Sequence, residues 1–72
     1  MTQRRLALRR RLEGYADFAR RRGRINRKDM AKIGEISFAQ ASSDMKALIE
    51  DYPDLGLAYD PSKKTYIVKG KT

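Results

Sequence analysis

Gln40, Ser43 and Lys46 recur at intervals of three, a spacing that sets side chains on one face of a helix. Their chemistry is that of recognition, not bond making. A side-chain amide carries an acceptor beside its donors and matches N6 and N7 of adenine. A serine hydroxyl pairs with donors or acceptors, and an ammonium group meets phosphate. Ala39 stands next to them and suits contact with a thymine methyl. Gln40 and Ser43 are therefore the expected readers of base edges, with Ala39 as a further contact. A helix that turns small hydrogen-bonding residues outward, without a screen of Glu and Lys, suits close approach to another surface. The major groove of DNA is the surface that the rest of the chain suggests.

The same inventory argues against catalysis. The chain has no Cys and no His, which removes disulfides, thiolate or imidazole metal ligands and the commonest general base. It has no glycine-rich phosphate loop and no paired carboxylates in a pocket-forming context. We expect no enzyme activity, cofactor, metal or small-molecule ligand. No apolar run is long enough to cross a bilayer and no signal-peptide core follows the basic start, so we expect a cytoplasmic, nucleoid-associated protein with no membrane partner.

Charge is distributed unevenly. The 72 residues carry a net charge of +8. Residues 1–28 hold eleven basic and two acidic side chains, residues 29–60 two basic and seven acidic, and the last twelve four basic and none acidic. Basic ends around a mildly acidic middle suit a polyanion through counterion release. Solubility alone is the plainer explanation, and the density of arginine in the first segment weighs against it.

These side chains need a scaffold, and a chain this short allows only one small domain. The segment from Ile36 to Tyr52 carries Phe38, Ala41, Met45, Leu48, Ile49 and Tyr52 at helical spacing, which predicts a helix over about 38–51 with those residues inward. Ser37 is its expected N-cap. Leu8, Leu12, Tyr15, Phe18 and Ala19 predict a first helix over about 4–22, ended by Gly23. Glu13 and Asp17 are placed to pair with its arginines, and Gly14 in its middle suggests a close packing contact. Arg24 and Ile25 read as an extended link. Asn26 is a plausible N-cap for a second helix over about 27–33, with Asp29 in its first turn and Met30, Ala31 and Ile33 toward the core. Gly34-Glu35 forms a tight turn, and helix, short turn and helix make a helix-turn-helix. Pro53 stops the third helix. Leu57-Ala58-Tyr59 and Thr65-Tyr66-Ile67-Val68 read as strands around the polar turn at Asp60-Pro61-Ser62-Lys63-Lys64. Tyr59 and Tyr66 are expected to pack the wing onto the core. The predicted fold is α+β: a small winged helix-turn-helix, three helices followed by a two-stranded β-hairpin wing over about 57–68.

Ile36-Ser37, Gln40-Ala41-Ser42, Asp44-Met45, Leu57-Ala58-Tyr59-Asp60 and Lys64-Thr65-Tyr66 together resemble the N-terminal winged helix-turn-helix of bacterial regulators of the DeoR kind, closest to the version that precedes WYL domains. The resemblance spans roughly residues 25–68 and implies a transcriptional regulator, such as a repressor, of bacterial or phage type. Those regulators carry a C-terminal ligand-sensing domain. The present chain stops after the wing, so effector sensing does not carry over. The expectation is a minimal DNA-binding protein or a part of something longer.

In this architecture the third helix enters the major groove. Phosphate anchoring is expected from Arg27 and Lys28, from Lys46, and from Lys63 and Lys64 at the wing tip. Ser37 either caps only or also binds a phosphate with the free N–H groups around it. Arg4 and Arg5 form an arm along the backbone or in the minor groove, although solvated face and phosphate contact both remain open for the first-helix arginines. Asp44 is expected to pair with an arginine of the first or second helix. The partner is double-stranded DNA, and the few base contacts of one copy predict a homodimer on repeated half-sites. Two other classes compete: a protein-docking winged helix of recruitment or antitoxin-like kind, which the acidic middle favours, and an architectural nucleic-acid binder without base readout.

Overall fold

Residues 2–70 are described by the computed structural model, with side chains from residue 6 onward. Helix α1 spans Thr2–Arg22, strand β1 Arg24–Ile25, helix α2 Arg27–Gly34 and helix α3 Phe38–Asp51. A 3-10 turn at Pro53–Leu55 leads into β2, Leu57–Asp60, and β3, Thr65–Val68. The architecture is α+β with winged-helix topology.

Each boundary has a local cause. Gly23 closes α1 with φ +78° and donates its N–H to the Ala19 carbonyl, a left-handed stop for which glycine is suited. Asn26 caps α2 reciprocally with Asp29: its side chain accepts from the Asp29 N–H, and the Asp29 carboxylate accepts from the Asn26 N–H. Such a box satisfies two otherwise free donors. The Ser37 hydroxyl oxygen accepts from the Gln40 N–H at 3.1 Å and starts α3, and Pro53 begins the 3-10 turn that follows it.

The link at Arg24 and Ile25 does more than the sequence reading expects. It pairs antiparallel with β3, Arg24 opposite Ile67 and Ile25 opposite Tyr66, so the sheet has three strands in the order β1-β3-β2. A two-residue strand carries no periodicity that sequence could reveal. Its effect is to tie the wing to the helix-turn-helix, since Ile25 is fully buried and the Val68 N–H reaches the Gly23 carbonyl.

Leu12, Tyr15, Ala16 and Ala19 of α1 meet Ile25, Met30, Ala41, Met45, Leu48 and Leu55 in one core. The alanines keep the helices close, so few large side chains suffice to fill the centre. Three residues expected inside lie outside: Phe38 is 55% exposed, Ile49 39% and Ile33 38%. On α3 the cause is Asp44, which is buried together with Ala41, Met45 and Leu48. A carboxylate on the inward side turns the buried stripe by roughly 40°, at 100° per residue, away from Phe38 and Ile49. Tyr59 is a further correction. It is 52% exposed and does not bury against the core, whereas Tyr66 is half-buried and packs against it. The two rings face each other across β2 and β3 with centroids 5.1 Å apart.

Candidate nucleic-acid interface

The turn of α3 just described settles which of its side chains face out. Ala39, Gln40, Ser42, Ser43 and Lys46 are all exposed, as is Ser37 at the cap. Ala39, Ser43 and Lys46 form the outermost strip. Gln40 lies on the flank beside Asp44, and Ser42 on the flank toward the wing. Nothing on the strip is bulky or anionic until Glu50, near the C-terminal end of the helix.

Asp44 organises the Gln40 flank. One carboxylate oxygen accepts from Arg11 Nε at 2.8 Å and from the Tyr15 hydroxyl at 2.6 Å. The other accepts from Arg11 Nη2 at 3.1 Å and from Gln40 Nε2 at 3.0 Å. The expected partnership with a first-helix arginine is therefore present, and it is bidentate, the stronger form of such a pair. Burial alone would raise the pKa of Asp44, but bonds from Arg11, Tyr15 and Gln40 and the Arg11 charge outweigh it and hold the carboxyl below the ordinary range. The Tyr15 hydroxyl is pushed upward, first by burial and then by Asp44. At neutral pH the cluster is carboxylate, guanidinium, phenol and amide, with donors matched to acceptors.

The other flank opens into a groove of about 310 Å³ lined by Arg27, Ser42, Met45, Tyr59 and Tyr66. Arg27 Nη1 donates to the Ser42 hydroxyl oxygen at 3.0 Å, which holds the guanidinium of α2 against α3 while its remaining N–H groups stay available. The strands that form the far wall end at Asp60 and Thr65, where the wing tip begins. Asp60 shapes that tip: one of its oxygens accepts from the Ser62 N–H, the Ser62 hydroxyl and the Lys63 N–H. The Ser62 bond leads the causes that lower the Asp60 pKa. Lys64 closes the turn with φ 54° and donates its N–H to the Asp60 carbonyl at 2.7 Å. Glycine or asparagine would sit more easily in that conformation. Both Lys63 and Lys64 are exposed.

No family model matches this chain, and no curated protein matches it significantly.

Of the anticipated contact residues, Ala39, Ser43 and Lys46 share the outer strip of α3, with Gln40 exposed on its flank and Ser37 exposed at its N-cap; Arg27 and Lys28 are exposed on the first turn of α2, and Lys63 and Lys64 stand at the wing tip. Arg4 and Arg5 fall on α1, but their side chains lie outside the described residues. Among the described residues no group of His, Cys, Asp and Glu could hold a metal ion, and no helix is long and apolar enough to cross a membrane. The sequence reading missed two participants, Ser42 and Tyr59, which belong to the groove. It expected an arginine on Asp44 but not the further bonds from Tyr15 and Gln40. Only the last left a signal: Gln40 and Asp44 are four residues apart, the spacing at which amide and carboxylate meet on a helix.

Proposed function

We propose that this chain is a sequence-specific double-stranded DNA-binding regulator of winged helix-turn-helix type, without catalytic activity, acting in the cytoplasm on the nucleoid. The observation that carries the reading is a helix face of Ala39, Gln40, Ser43 and Lys46 that is small, polar and uncovered, with exposed cations beside it: Arg27 and Lys28 on the first turn of α2, Arg27 lining the groove, and Lys63 and Lys64 at the wing tip. Such a face approaches base edges closely, and the flanking cations carry most of the affinity through phosphates. Gln40 and Ser43 read bases, Ala39 meets a thymine methyl, and Ser37, Lys46 and the flanking cations set the register. Arg4 and Arg5 extend the contact along the backbone. Two copies on repeated half-sites supply the specificity that one short helix lacks. The likeness to DeoR-type regulators over residues 25–68 supports the same reading.

Phe38 favours a second reading. A large apolar side chain 55% exposed at the start of α3 suits a protein partner that takes the same helix. Selection of bound sites from random duplexes, followed by competition against random DNA at moderate salt, separates the two. Enrichment of one motif and selective retention are the expected results. Uniform retention would point to an architectural role, and no retention would leave Phe38 and protein docking.

A further inference from the structure

Asp44 has a consequence for what Gln40 can read. A carboxylate is an acceptor only and offers about four lone-pair positions. Here two are taken by Arg11, one by Tyr15 and one by Gln40. The Gln40 amide therefore cannot turn over: its carbonyl oxygen would then face a carboxylate oxygen, and one acceptor position in a buried site would lose its donor. The orientation follows from the chemistry of Asp44 itself, because only nitrogen can face it.

We propose that Asp44 is a positioning residue that fixes the polarity of the Gln40 amide, and so sets which base α3 selects. The inference rests on the DNA-binding reading above. When Asp44 takes the N–H trans to the carbonyl oxygen, Gln40 keeps that oxygen and its second N–H side by side for an outside partner. Adenine presents the matching pair in the major groove, an N6 amino donor beside the N7 acceptor, while guanine presents two acceptors and thymine a keto oxygen. A freely rotating glutamine would have to be ordered on binding. This one is ordered in advance by a bond to a residue that Arg11 and Tyr15 hold in turn, which lowers the entropy cost of the contact. The two residues differ in kind: exposed Gln40 touches the base, and buried Asp44 acts only through Gln40.

The test uses the full chain, its selected site, and duplexes carrying each base pair at every position of that site. Wild-type protein should prefer adenine at one position by roughly 5- to 150-fold over the other bases. Gln40→Met, which keeps the length of the side chain and removes its hydrogen bonds, should erase that preference and leave the others. Asp44→Asn should reduce the same preference several-fold toward unity, and the double variant should do no more than Gln40→Met alone. Asp44→Asn also weakens the fold. The readout is therefore a ratio of affinities from one preparation, which the folded fraction does not alter. A second measurement needs no DNA: in the free protein the Gln40 side-chain N–H bonded to Asp44 should resonate downfield of the ordinary range for a glutamine side-chain amide, and Asp44→Asn should return it to that range. Full retention of the adenine preference by Asp44→Asn would overturn the inference and leave the DNA-binding reading standing. So would a preference that Gln40→Met does not touch, or an unshifted amide. Failure of the wild-type protein to bind any duplex would remove both.

Discussion

The Tyr15 hydroxyl occupies the space where a side chain on Gly34 would begin. A Cβ added to Gly34 would stand 2.6 Å from that oxygen and 3.0 Å from Arg11 Cδ. Gly34 is the last residue of α2, so α1 crosses the helix-turn-helix directly over its turn, and the crossing carries both residues of α1 that donate to Asp44, Arg11 and Tyr15.

Gly34→Ala should accordingly destabilise the fold by about 1–3 kcal/mol, the usual range for overpacking a tight site. Gly14 is the control. The sequence suggests a close contact there, but a Cβ on Gly14 meets Ile33 Cγ2 at an ordinary 3.5 Å. The helix-interior cost of glycine is then not offset by any packing need. Gly14→Ala should stabilise by up to about 1 kcal/mol. Thermal unfolding of the two variants checks this directly. Opposite shifts, the larger one a loss at Gly34, support the crossing described, and a harmless Gly34→Ala contradicts it.

The buried cluster predicts how stability changes with pH. Asp44 has a folded pKa below its unfolded value, so its contribution is present above the unfolded carboxylate value of about 3.9 and is lost as pH falls through the lower folded value. Tyr15 has a folded pKa above its unfolded value. Its contribution is complete below about 10 and is lost as pH rises through the higher folded value. Denaturant midpoints should therefore hold between these limits and decline in strong acid and in strong alkali. Tyr15→Phe should abolish most of the alkaline decline. Arg11→Met strands a buried carboxylate with only Tyr15 and Gln40 as donors, and should cost about 3–5 kcal/mol at neutral pH. A loss under 1 kcal/mol would mean that water reaches Asp44 freely.

Thr65 presents the opposite case. Its hydroxyl oxygen is buried without a hydrogen-bond partner among the described residues, in the first residue of β3. An unpaired buried hydroxyl carries a desolvation penalty of about 1–3 kcal/mol. Thr65→Val keeps the β-branch that suits a strand and removes the polar atom. It should raise stability by about 1 kcal/mol, or roughly 4–8 °C in melting temperature for a domain of this size. A decrease would show that the hydroxyl is paired in solution.

How far the sequence was legible follows from where the information lies. Asn26, Ser37, Gly23 and Pro53 announce their boundaries because caps and stops are local chemistry, and the helices and wing strands lie where those residues predict. What local pattern cannot carry is the consequence of one buried charge. Counting apolar residues places Phe38 and Ile49 inside, whereas burial of Asp44 turns α3 and leaves them out. That burial depends on Arg11, which is 33 residues away in the chain. Strand β1 and the exposure of Tyr59 depend likewise on pairing with β3 and on the groove wall. At the candidate interface the exposure of Ala39, Gln40, Ser43 and Lys46 was legible from helical spacing, and the orientation of Gln40 was not.

The wing offers the remaining prediction. Lys63 and Lys64 stand at the tip of a turn held by Asp60, and Lys64 keeps a left-handed backbone that costs a non-glycine residue about 1–2 kcal/mol. A cation standing where Gly would be easier is consistent with a role of its charge. If each lysine meets one phosphate, replacing both with alanine should lower the steepness of the log affinity against log salt relationship by roughly 1.8, from about 0.9 per contact. Affinity should fall by the same factor on selected and random duplexes, because phosphate contacts carry no sequence information. Lys64→Gly should lower the slope by about half as much while raising thermal stability, since it relieves the backbone as it removes the charge. Titrations at several salt concentrations decide the matter. An unchanged slope in the double alanine variant would take the wing off the phosphate backbone, and a loss confined to one sequence would make these lysines readers of bases and not anchors.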